Sequence, residues 1–225
     1  MTTVRQIAEM NNTGAAKLVA DHDTDAFDVL QRALRIMESQ MQDSPDNDAS
    51  SSSTSTSPQD SPTNSKGDNM SESSAARFLT DTKNSTEISA LRDGHFSIFN
   101  HSLIVDTENQ SIENVDFSNC SQAMVCFYTS VIIFNLALAY HKKGMAGVQK
   151  LLPADHTRLA LSQSLRLYEH CLKVVRTIAD YSEDCKMLMY ACSYNLAHLY
   201  CRKGERSRAQ QLLDGLEPLG HFHGK

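Results

Sequence analysis

The sequence predicts a mainly α-helical chain: a solenoid of about three degenerate helix–turn–helix units, broken by a disordered Ser-rich loop and a small β-leaning insertion. Three observations predict it. The phrase FNLALAYHKKG at 134–144 returns as YNLAHLYCRKG at 194–204, with six of the eleven letters identical. Residues 3–42, and most of those after Asn119, space their apolar side chains along one helix face. Between them, residues 43–74 hold fifteen Ser or Thr in 32 positions and no Val, Ile, Leu or aromatic residue, so they cannot offset the entropy of ordering.

The elements follow in chain order. Residues 3–42 form a first helix pair, with Val4, Ile7 and Leu18 on one helix and Phe27, Leu30, Leu34 and Met37 on the next. The stretch DHDTDAF divides them, with Asp23 or Thr24 placed to cap the second helix and Asp25 and Asp28 suited to its first turn. Residues 43–75 are the disordered acidic linker. Residues 76–117 are the β-leaning insertion, in which Phe96 and Ile98 alternate before a polar break and then Leu103 and Val105, a short hairpin pattern. Residues 118–220 are a helical region with helices near 121–143, 156–180, 184–203 and 205–216. A basic pair followed by Gly144 or Gly204 ends a helix in each copy of the phrase, because cations suit the helix C-terminus and Gly takes the left-handed cap.

Composition narrows the function classes. The net charge is −6, and residues 43–74 alone carry −5 from six acidic residues and one Lys, leaving −1 elsewhere. That balance has no basic footprint for nucleic acid. Six cysteines lack any CxxC pairing and no secretory leader pattern precedes them, so reduced thiols in the cytoplasm, with the nucleus as the alternative, are expected. Residues 117–140 carry no formal charge and are long enough to span a bilayer, which makes a membrane-associated protein an alternative reading. Seven polar residues, including Asn119, Gln122 and Asn135, argue against a span.

The repeated phrase marks a repeated unit. Counted from Tyr190, Leu196, Ala197, Tyr200, Ala209 and Leu213 fall at positions 7, 8, 11, 20 and 24 of a 34-residue helix pair, where small residues let helices cross and large ones fill around them. Counted from Ser130, Leu136, Ala137 and Tyr140 repeat the first half, while Ser164, Tyr168 and Cys171 supply a displaced second helix after an insertion in the turn. At the N-terminus Gly14, Ala26, Leu30 and Ala33 fit positions 8, 20, 24 and 27. This pattern resembles the tetratricopeptide repeat (TPR), and its NLAxxYxxxG flavour is similar to the repeats of kinesin light chains. The resemblance covers a little over half of the chain.

The resemblance implies a concave groove for a protein or peptide partner. Asn12, Asn135 and Asn195 stand at position 6, Leu138 and His198 at position 9, and Lys142 and Arg202 at position 13. A line of amides suits the alternating donors and acceptors of an extended peptide, and the two cations favour an acidic ligand. That line requires the β-leaning insertion to bulge outward and leave the helix stack continuous. Chaperone-tail clamps of this family use Lys and Arg where Asn11 and Asn195 stand here, so only Asn135 of that clamp is reproduced. Ser44, Ser57 and Ser61, each followed by Pro, suit a proline-directed kinase.

No phosphate-loop, nucleophile-elbow or metalloprotease motif is present, so an enzyme is not expected, nor a cofactor or metal. The pair His221 and His223 near Cys201 lacks further ligands at metal spacing. Cys171 and its neighbour His170 point about 100° apart on a helix and cannot meet as nucleophile and base. The reading is an adaptor or scaffold that holds a peptide or partner helix, with self-association expected of so short an array. The alternative class is a metal-binding or catalytic domain built on 76–117.

Overall fold

The computed structural model describes residues 3–42, 76–79, 101–105, 120–149, 153–178 and 182–216. Among them are six helices and two strands: α1 (Val4–Val19), α2 (Asp23–Gln42), β1 (Ala76–Leu79), β2 (Ser102–Val105), α3 (Gln122–Gln149), α4 (Ala154–Val175), α5 (Glu183–Arg202) and α6 (Arg206–Asp214). The linker expected over 43–75, most of the 76–117 insertion, Ser44, Ser57, Ser61, His221 and His223 lie outside the described residues.

Local chemistry sets the helix ends. α1 opens on a reciprocal cap: the Gln6 N–H donates to Thr3 Oγ1 at 3.3 Å while the Thr3 N–H donates to Gln6 Oε1 at 3.1 Å. It closes through Asp21, held at φ 57°, with the His22 N–H returning to the Lys17 carbonyl at 2.9 Å. α2 therefore starts at Asp23, one or two residues earlier than a cap at Asp23 or Thr24 implies. The carbonyl of His22, and not Asp23 or Thr24, takes the first helical bond, from the Ala26 N–H.

The two copies of the repeated phrase end differently, which corrects one expectation. After α5, Gly204 sits at φ 83° with its N–H on the Cys201 carbonyl, and the Glu205 N–H reaches back to Tyr200 at 2.9 Å. That is the left-handed helix stop. α3 instead runs through Gly144 to Gln149. There the glycine serves close approach: a Cβ at 144 would stand 2.5 Å from Leu161 Cδ2. Met145 and Ala146 continue the helix after it, and a second glycine, Gly147, is carried within the same last turns.

In the pairs α1–α2 and α3–α4, small residues sit where the helices cross. In the first pair a Cβ on Gly14 would lie 2.6 Å from Leu30 Cγ. Between α3 and α4, Ser164 Oγ donates to the Ala137 carbonyl at 2.9 Å and Cys171 Sγ to the Ser130 carbonyl at 3.2 Å, so the two helices run antiparallel. α1 and α3, by contrast, run side by side in one direction. Asn11 meets Asn135 and Leu18 meets Lys142, both at a sequence separation of 124. Phe27 of α2 packs edge-on against Tyr140 of α3, with ring centroids 4.3 Å apart.

The strands form one antiparallel pair, with Ala76 opposite Val105 and Phe78 opposite Leu103. The hairpin pattern at Phe96 and Ile98 lies outside the described residues, and the partner of β2 is Ala76–Leu79. β2 does not bulge away from the helices. Leu103 and Val105 are buried in the same apolar cluster as Val4, Ile7, Val131 and Leu138. α3 is long and apolar enough to cross a membrane by length and composition, yet 78% of its most apolar window is buried within the protein. Its apolar surface is spent on the core.

Candidate functional site

Helix geometry brings three asparagines together over β2. Asn11 and Asn12 lie in the middle of α1, and Asn135 lies on the facing side of α3. Asn12 clasps Val105 at two points: its Nδ2 donates to the carbonyl at 2.7 Å and its Oδ1 accepts the N–H at 2.8 Å. Asn135 does the same to Leu103, accepting its N–H at 2.9 Å and donating to its carbonyl at 2.7 Å. Asn11 completes the set. It donates to the Leu103 carbonyl at 3.1 Å and accepts from Asn135 Nδ2 at 2.9 Å.

A primary amide presents one donor and one acceptor side by side, as a neighbouring strand's backbone would. Strand backbone groups alternate between edges, so those of residues 103 and 105 share one edge and those of 102 and 104 the other. β1 pairs on the second edge. The asparagines thus act as a surrogate strand on the first, and no backbone group of Leu103 or Val105 is left for water. The extended backbone that the amides bond is the chain's own.

The remaining predicted groove residues do not join this row. Asn195 is wholly buried and donates to the Tyr168 hydroxyl at 2.8 Å. A buried phenol needs a partner, and among the described residues α5 has no strand beside it to compete. Leu138 is wholly buried in the core. Lys142 turns to the end of α1, where its Nζ donates to the Leu18 carbonyl at 2.6 Å and pairs with Asp21 at 2.9 Å; the cation satisfies the negative end of that helix. Arg202 is exposed and lines a separate cleft between α3, α4 and α5. The expectation of one concave line of asparagines is therefore corrected: Asn12 and Asn135 share a site, and Asn195 belongs to the interior.

His198 meets His141 across the α3–α5 contact, with Nδ1 and Nε2 3.0 Å apart. Burial and then the neighbouring His198 and Arg202 charges lower the His141 pKa to about 3, and burial and Arg202 lower that of His198 to about 4. Both imidazoles are neutral near pH 7, one donating to the other. Cys171 and Cys192 face each other with sulfurs 3.3 Å apart, and burial pushes the Cys192 thiol up. Among the described residues no cluster of three or more His, Cys, Asp or Glu is placed to hold a metal ion.

Asn11, expected only at a clamp position where the resemblance has Lys, joins the clasp as well, and the Asn11–Asn12 doublet is its sequence signal. Sequence reasoning took Leu103 and Val105 as strand residues without linking them to the amides. No family model matches the chain, and no curated protein or solved structure is significantly similar to it.

Proposed function

We propose that this chain is a protein-interaction adaptor, a TPR-type helical array whose groove grips an extended peptide backbone through Asn12 and Asn135. The observation that carries this reading is the two-point clasp on alternate residues of β2. The array reading draws support from the side-by-side course of α1 and α3, and from small residues at the α1–α2 and α3–α4 crossings. Asparagine amides recognise and orient; they have no basic lone pair with which to move a proton near neutrality. The site suits binding and not catalysis.

The resident strand defines the ligand class. The clasped residues are Leu103 and Val105, whose side chains are buried while Ile104 between them is partly exposed. The groove therefore takes an extended segment with apolar side chains at alternate positions, a small residue before the first of them, as the buried Ser102 is, and a partly exposed residue between them. A partner segment of that pattern replaces β2 on the amides, in the manner of strand addition.

A labelled peptide of sequence HSLIVD, matching residues 101–106, tests this against a Leu103→Gly, Val105→Gly variant that weakens the resident strand. The peptide should bind the variant and not the parent chain, and Asn135→Ala should weaken binding at least tenfold. A variant that keeps native helicity by circular dichroism yet ignores the peptide, or binds it equally without Asn135, refutes the proposal.

A further inference from the structure

The turn insertion that displaces the second helix of the middle unit builds a second surface. α3 continues to Gln149 and α4 begins at Ala154, so both reach past the crossing of Ala137 with Ser164. Together with the end of α5 they enclose an open cleft of about 600 Å³. Its floor is apolar, formed by Val148, Leu161, Leu165 and Leu199, and its rim carries Arg158, Arg202 and Lys203. Val148 is 40% exposed, one of two large apolar residues so exposed among the described residues. Among the described residues no carboxylate lines the cleft. Lys203 pairs with Glu205 at 3.4 Å, whereas Arg158 and Arg202 have no ion-pair partner among the described residues.

We propose that this cleft docks an acidic amphipathic helix of a partner protein, apolar face down and carboxylates against Arg158 and Arg202. The charge balance selects the occupant: two arginines without an ion-pair partner among the described residues, and Lys203 beside them, rim an apolar floor, which disfavours a basic amphipath and steers an acidic one. Dimensions agree. α4 lines the cleft from Ala154 to Leu165, about 16 Å at about 1.5 Å per residue, the length of three helical turns. Leucines at helical spacing on the partner would meet Leu161, Leu165 and Leu199, as in other helix-in-groove contacts. The chain's own acidic stretch at 43–74 is excluded as occupant because it carries no Val, Ile, Leu or aromatic side chain. The surface is separate from the Asn12 and Asn135 clasp, so it acts independently of what that groove holds.

The test uses the full chain and a fluorescein-labelled helical peptide, ELLEELLEELLEE, read by fluorescence anisotropy. The acidic peptide should bind, and its lysine counterpart, KLLKKLLKKLLKK, should bind at least tenfold more weakly. Arg158→Glu with Arg202→Glu should reverse that order. Both positions are exposed, so the fold should be kept, as circular dichroism checks. An excess of unlabelled HSLIVD peptide should not displace the acidic peptide, which separates this site from the clasp. Absence of acidic-peptide binding overturns the proposal, and so does equal affinity for both peptides or indifference to the double charge reversal. Self-association of the chain that the charge reversal abolishes, without peptide binding, assigns the cleft to a second copy and also overturns it.

Discussion

Replacing Asn135 by Ala removes the densest part of the clasp, and its cost can be worked bond by bond. Asn135 is wholly buried, and three hydrogen bonds disappear with its amide. The Leu103 carbonyl keeps Asn11 Nδ2 as a donor at 3.1 Å, so it is not orphaned. The Leu103 N–H is orphaned in a residue with no exposed surface, at about 1–3 kcal/mol. Asn11 Oδ1, also buried, loses the donor at 2.9 Å and adds about 1 kcal/mol. The expected loss is about 2–4 kcal/mol, a large share of the 5–15 kcal/mol typical of a domain. Asn12→Ala should cost less, about 1–2 kcal/mol, because Asn12 is only partly buried and water can reach the freed Val105 groups. Urea unfolding followed by circular dichroism measures both. If the amides faced an empty groove, as the sequence alone suggested, neither variant would lose stability. A loss below about 0.5 kcal/mol for Asn135→Ala, or a reversed order of the two variants, refutes the clasp.

Other expectations follow from the same packing. Gly144→Ala should destabilise by about 1–3 kcal/mol through overpacking against Leu161, where an ordinary helical Gly→Ala change stabilises by about 1 kcal/mol; thermal melts decide the sign. Ala137→Leu should cost about 1–3 kcal/mol, since Ala137 is wholly buried at the crossing with Ser164, and an unchanged melting temperature would mean the crossing lies elsewhere. Stability should fall on acidification from pH 7, because the unfolded chain protonates His141 and His198 near pH 6.5 while the folded chain resists until about 3 and about 4. For His141 alone the loss by pH 5 is about 2 kcal/mol, from 1.5 pH units at about 1.4 kcal/mol each. Melting temperatures at pH 7 and pH 5 should converge in a His141→Leu, His198→Leu variant.

The sequence made α1, α2 and α4 legible because each carries its own periodicity, whereas α3 and α5, buried on nearly every face, were legible through the repeated phrase. The Gly14–Leu30 contact and the Ala137–Ser164 crossing follow from residue size at fixed spacing, which needs no knowledge of distant partners. Gly144 was misread because a helix-ending glycine and a close-approach glycine look alike in sequence; only Leu161, brought there by the turn, distinguishes them. The amides at Asn12 and Asn135 were recognisable as backbone-binding groups. What they bind was not, because β2 lies more than ninety residues from Asn12 and pairs with β1, whose ARFL has no telling alternation. Lys142 and Asn195 illustrate the same limit. Each could serve a groove, and each is claimed by an unsatisfied carbonyl or hydroxyl that tertiary packing delivers.

Amide hydrogen exchange by NMR at Leu103 and Val105 tests the central claim most directly. The account predicts strong protection of both amides, although neither faces β1. Protection should be lost at Leu103 in Asn135→Ala and at Val105 in Asn12→Ala, each with the other amide still slow. Rapid exchange of both amides in the unaltered chain, or protection indifferent to the two substitutions, would contradict it.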